Sequence, residues 1–160
     1  MHTAFTTRRL LWLVPAFGLL ACAKKEADAN AAAATAQQAP APPPPPAPVT
    51  VTLTARNNSK MTGTVVLTRQ GDSTSVALTL NGGRSGTTYA SHIHSGTCDK
   101  PGGVVVPLTG VKVGADKSGT STTVVATAVL DSARAKDGAL LAQSHLPNGK
   151  PAACGAIPAQ

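Results

Sequence analysis

The chain has 160 residues, a formal charge of +7, and an aromatic content of only 2%. Its cations are scattered rather than run together, and there are almost no rings on which bases could stack, so a nucleic-acid-binding role is excluded. Thirteen prolines and fifteen glycines against 42% apolar residues describe a small domain with a biased extension, not a chain that is globular throughout.

The extension comes first. Arg8 and Arg9 precede a short apolar run, Leu10 to Ala21, which is too brief for a span of about 20 residues and has the form of a signal-peptide core. The run ends in Leu19-Leu20-Ala21-Cys22, which resembles the lipobox of bacterial lipoproteins. That resemblance implies cleavage after residue 21, acylation of Cys22, and a bacterial envelope protein held on a membrane by its lipid. Alanine at position 23 implies sorting to the outer membrane, facing the periplasm. The other reading of the same residues is an ordinary cleaved signal with a chance cysteine.

Residues 22–48 are nearly all Ala, Pro and Gln with a few charges, including the run Pro42 to Pro46. This composition cannot bury a core, and its prolines favour an extended spacer of about 3.1 Å per residue. Residues 49–160 are then the folded domain. If the signal peptide is removed, Tyr89 is the last aromatic residue, and the core is Val, Leu, Ile and Ala.

Within this domain the apolar residues recur with period two. Val49, Val51, Leu53 and Ala55 fall on one face of the first segment, with threonines on the other. Met61, Val65 and Leu67 follow, then Val76, Leu78 and Leu80, then the segments 104–113 and 121–130. Turn signals stand between them: Asn57-Asn58-Ser59, Gln70 to Ser73, Asn81 to Gly86, Gly114 to Gly119 and Pro147 to Lys150. The pattern predicts about eight short antiparallel strands in an all-β Greek-key sandwich or barrel. Asn81-Gly82 is expected to turn a hairpin, and Pro107 to mark a strand edge or bulge. Asp131 to Gly138 is the one stretch able to form a helical turn, with a surface loop as the alternative.

The chemistry-bearing residues are few. With Cys22 lipidated, Cys98 and Cys154 remain, and in an exported chain they pair by default, the alternative being two free thiols acting as ligands. Closing a loop of about 56 residues contributes roughly 4 kcal/mol by loss of chain entropy in the unfolded state. Histidines of the domain occur at only two places, His92 and His94 in the stretch "YASHIH", and His145 in "AQSH". On a strand, His92 and His94 point to one side and Tyr89, Ser91 and Ile93 to the other. Two imidazoles about 7 Å apart at Cα can converge on one ion, and a third makes an open site that suits copper. The same residues also read as two polar side chains on an exposed strand and a third beside a turn. Ser91, Ser95 and His145 form no hydrolase motif, because no nucleophile elbow accompanies them. Asn81 to Gly86 opens no helix, so it is no phosphate loop.

The stretch "HIHSGTC" followed at a distance by "AACGAIP" resembles the copper/zinc superoxide dismutases and the related chordin-like lipoprotein domains. The resemblance implies an eight-stranded Greek-key barrel, copper ligands at His92, His94 and His145, and a disulfide between Cys98 and Cys154. It implies superoxide or copper ion as the small partner. Where this chain departs from the dismutase pattern, its chemistry changes. Asp99 to Ser144 contain no histidine, so the bridging ligand and the zinc site are absent and no zinc is expected. Pro151 stands where the dismutases carry an arginine, and neighbouring Lys150 lacks the planar fork. The expectation is therefore a degenerate, superoxide-dismutase-like copper site with residual dismutation or copper handling. The alternative is a metal-free module of the envelope with a structural or partner-binding role.

Overall fold

A computed structural model describes residues 44–159. The expected signal peptide, Cys22 and the expected spacer up to residue 43 lie outside the described residues. Residues 44–48 are exposed and irregular. Among the described residues, no helix is long and apolar enough to cross a membrane.

Eight antiparallel strands follow: β1 Val49–Ala55, β2 Thr62–Gln70, β3 Ser73–Asn81, β4 Thr88–Gly96, β5 Pro101–Lys112, β6 Ser118–Ala126, β7 Leu140–His145 and β8 Pro151–Ile157. One helix, α1 Thr127–Asp137, stands between β6 and β7. Neighbouring strands run in the order β5-β4-β7-β8-β1-β2-β3-β6. The sheet curls into a nearly closed barrel, and side chains close its last seam. The Thr109 N–H donates to Thr123 Oγ1 at 2.8 Å, and the Ser121 hydroxyl donates to the Thr109 carbonyl at 2.8 Å. Pro107 lies in β5, at that seam, where a missing backbone donor costs no ladder bond.

The period-two faces hold. Val51, Leu53, Val65, Leu67, Val76, Leu78 and Leu80 are buried, each no more than 4% exposed. They join Met61, Ile93, Val111, Val113 and Leu140 in one core. Each such aliphatic side chain contributes about 1.5–3 kcal/mol by leaving water. Tyr89 is buried with them, and its hydroxyl accepts the Arg84 N–H at 2.8 Å.

Two local expectations change. The alternation through Ala126–Leu130 continues no strand: from Thr127 the chain is helical, and Asp131 to Asp137 form two further turns rather than a loop. Ala, Leu, Arg and Lys favour helix, and tertiary contacts fix the start. The Thr127 N–H donates to the Asp72 carbonyl at 2.8 Å, and its hydroxyl meets that of Thr74 at 2.8 Å. Leu130 is buried in the core, and Asp131 pairs with Arg69 of β2. Asn81-Gly82 does not turn a hairpin either. β3 pairs with β2 and β6, while β4 pairs with β5 and β7, so the segment crosses between non-adjacent strands. Gly82 is needed there for its φ of 78°, and because a Cβ would stand 2.9 Å from the Lys60 carbonyl oxygen.

Candidate metal centre

Strand β4, between β5 and β7, supplies two of the three histidines. Tyr89, Ser91 and Ile93 face the core, so His92 and His94 face outward. Directly opposed residues in antiparallel strands share a face. One outward row therefore runs Pro107, His92, Gln143, Cys154 across β5, β4, β7 and β8. In the next row His94 stands between Val104 and Leu141. His145, at the end of β7, shares the face of Gln143 and is paired with Pro151.

Part of this outward face is sheltered: Leu141 is 0% exposed, Cys154 1%, Gln143 2% and His94 9%, while His92 and His145 are half-buried and Val104 and Pro107 exposed. A disulfide joins Cys98 to Cys154, with Cα atoms 5.9 Å apart, and ties the β4–β5 connection to β8. That connection is itself a closed turn, in which Thr97 and Lys100 exchange backbone hydrogen bonds of 3.1 and 3.0 Å. Asp99 at its tip meets Arg56 Nη1 at 3.0 Å.

The three imidazoles meet on this face. Ring centroids are 5.6 Å apart for His92–His94, 5.2 Å for His92–His145 and 5.7 Å for His94–His145. One nitrogen from each ring lies within 4.8 Å of the other two. The backbone decides which nitrogen is free. His94 Nδ1 lies 3.0 Å from the Gly102 carbonyl oxygen, and His145 Nδ1 lies 3.1 Å from that of Gly149. A carbonyl only accepts, so each Nδ1 carries the proton and donates it. Each Nε2 is left with a lone pair, and both are buried without a hydrogen-bond partner. His92 Nδ1 is likewise buried and partnerless. Three partnerless ring nitrogens in one cluster, two of them left with a lone pair by their Nδ1 partners, fit a metal ion, since a buried polar atom normally finds a partner. Desolvation lowers the His92 pKa below its usual value, and charge on His145 and His94 lowers it further. All of this favours the neutral imidazole, which is the metal-binding form.

Gly102 is what lets its carbonyl reach His94. A Cβ there would collide with the Ser95 hydroxyl and stand 3.2 Å from the Ser95 carbonyl oxygen. β5 can follow β4 this closely only without a side chain at that position.

Two residues near the centre were not singled out by the sequence. Gln143 is nine-tenths buried and more on the histidine face, and its Nε2 has no hydrogen-bond partner. Such a donor left unpaired costs about 1–3 kcal/mol. Its signal was available, because it precedes His145 by two on a strand and so shares its side. Arg56 follows β1 and had no motif to reveal it. It lines an open recess of about 300 Å³ with Asn57, Cys98, Asp99 and Pro151, next to the strand pair that carries His145.

Residues 30–150 match a family model described as the CHRD domain. This span contains all three histidines and ends before Cys154. No curated protein matches the chain.

Proposed function

The chain belongs to the CHRD domain family. We propose that its barrel is a copper-binding module of the cell envelope, with His92 Nδ1, His94 Nε2 and His145 Nε2 as the ligand set. Two observations carry this reading together: one nitrogen from each of the three rings lies within 4.8 Å of the others, and each ring has a buried nitrogen free of hydrogen bonds. The donor set is all imidazole, with no thiolate, since both nearby cysteines are tied in the disulfide. Among divalent ions such a set favours copper. Copper bound there would supply one-electron redox chemistry. The chain's own residues hold the His94 and His145 tautomers through the Gly102 and Gly149 carbonyls.

The role is copper handling: holding the ion and passing it on. The dismutase resemblance of the "HIH" and "ACG" motifs supports the ligand set. The lack of any histidine from Asp99 to Ser144 removes the proton-bearing bridge that rapid turnover of superoxide requires. A second reading, residual superoxide dismutation, draws on Arg56, which lines the recess together with Pro151, the position of the dismutase arginine, and shares its charge with Asp99. The lipobox at Leu19 to Cys22 supports a lipid anchor in the outer membrane, and the Pro-rich residues up to 48 then space the barrel from the bilayer on its periplasmic side.

Copper titration of the purified chain tests the reading. It predicts one copper per chain, and a loss of more than about 100-fold in affinity for His92→Ala and for His145→Ala, since even residues that only support a ligand are worth 10–100-fold. If both variants bind copper as the parent does, the ligand set is wrong. A cytochrome c competition assay for superoxide on the loaded chain, compared with Arg56→Ala, decides between the two roles.

A further inference from the structure

Gln143 stands directly opposite His92 in the β4–β7 pairing and directly opposite Cys154 in the β7–β8 pairing. Opposed side chains in such pairs have Cβ atoms about 4.5–5.5 Å apart, a distance a glutamine spans with ease. The side chain is 2% exposed, and its Nε2 has no hydrogen-bond partner. A glutamine placed for packing alone would be expected to bond a nearby backbone carbonyl. This one keeps its donor free, in a row whose other members are a free imidazole nitrogen and a disulfide sulfur.

We propose that Gln143 is a fourth polar member of the centre, a donor for a small monovalent anion taken up at the copper site. The inference rests on the copper reading above and deepens it by naming the ligand class. Three neutral imidazoles leave the charge of a cuprous or cupric ion uncompensated, and a three-ligand set leaves room for an exogenous group. A preformed amide donor in a water-poor site stabilises negative charge far better than one in bulk water. A hydrogen bond to a charged acceptor is about twice as strong as one between neutral groups. Small size follows from the burial of the donor, which is 2% exposed.

The test is azide titration of the full chain loaded with Cu(II), read by the optical charge-transfer band and by the electron paramagnetic resonance spectrum. Gln143→Leu and Gln143→Met keep the volume and remove the donor. Both are expected to retain one copper per chain with affinity within about threefold of the parent, while the azide Kd rises about 10- to 100-fold, the range for losing a hydrogen bond to a charged group. Gln143→Glu, which puts a negative charge in the same place, is expected to weaken azide further. An azide Kd within about twofold of the parent in the Leu and Met variants overturns the proposal while leaving the copper reading intact. Loss of copper itself in both of those variants overturns it in favour of direct support of the ligands. A parent chain that takes up no copper sinks the copper reading and this proposal together, before any variant is made.

Discussion

Substituting Gly102 by alanine separates the ligand geometry from the ligands themselves. No histidine is touched. The new Cβ meets the Ser95 hydroxyl, which can rotate away, and stands 3.2 Å from the Ser95 carbonyl oxygen, which can move only with the β4 backbone. β5 must retreat by a few tenths of an ångström. The 3.0 Å contact between the Gly102 carbonyl and His94 Nδ1 then lengthens or breaks, and the His94 ring loses the partner that fixes its tautomer. Loss of such an outer partner typically costs 10–100-fold in metal affinity, or about 1.4–2.7 kcal/mol. The neighbouring Gly103 is the control: its Cβ would meet nothing within 4 Å, so Gly103→Ala leaves the strand where it is. Competition titration with a chromophoric copper chelator reads both variants against the parent. The account predicts that Gly102→Ala falls in the 10–100-fold range and Gly103→Ala stays within about twofold. Equal affinities for the two variants would refute the claim that the β5 carbonyl orients His94.

Three further outcomes follow from other parts of the chain. Cys98→Ser with Cys154→Ser lowers the urea-unfolding free energy of the metal-free chain by roughly 4 kcal/mol, because a loop of about 56 residues is released in the unfolded state; a loss below about 1 kcal/mol would show that the staple is dispensable. Burial holds the His92 pKa below its unfolded value, so the unfolded chain binds more protons as pH falls. The stabilising share of His92 is therefore present above about pH 6.5 and is lost as pH drops from there through its folded pKa. Urea midpoints measured between pH 7.5 and 5 should decline, and His92→Gln should flatten that decline. Cys22→Ser should move the protein from the membrane fraction to the soluble periplasmic fraction and abolish labelling by a palmitate analogue; unchanged fractionation would remove the lipid anchor.

The strands were legible because each buries one side. Val51, Leu53, Val65, Leu67, Val76, Leu78 and Leu80 alternate with Thr and Ser, and that alternation carries through to the buried core. Segments where the alternation meets a different local preference were less legible. Ala126 to Leu130 alternates in the same way, yet the Thr127 contacts to Asp72 and Thr74 turn it into the first turn of α1. Asn81-Gly82 has the composition of a hairpin, but composition says nothing about which strands lie adjacent, and the crossing from β3 to β4 is a property of the whole barrel. The facing of His92 and His94 followed from period two. Their meeting with His145 did not, because it depends on the β4–β7 pairing, which joins segments far apart in the chain. For the same reason Gln143 looked like an ordinary polar strand residue. Only its own burial, between the half-buried His92 and the buried Cys154, makes its free amide meaningful.

The most direct measurement of the central claim is the copper-edge X-ray absorption spectrum of the loaded full chain, taken beside its His145→Ala variant. The account predicts a first shell containing three imidazole nitrogens, recognisable by the outer-shell scattering of the rings, falling to two in the variant. A shell dominated by oxygen, or a spectrum unchanged by removing His145, would contradict the assignment of these three rings to one ion.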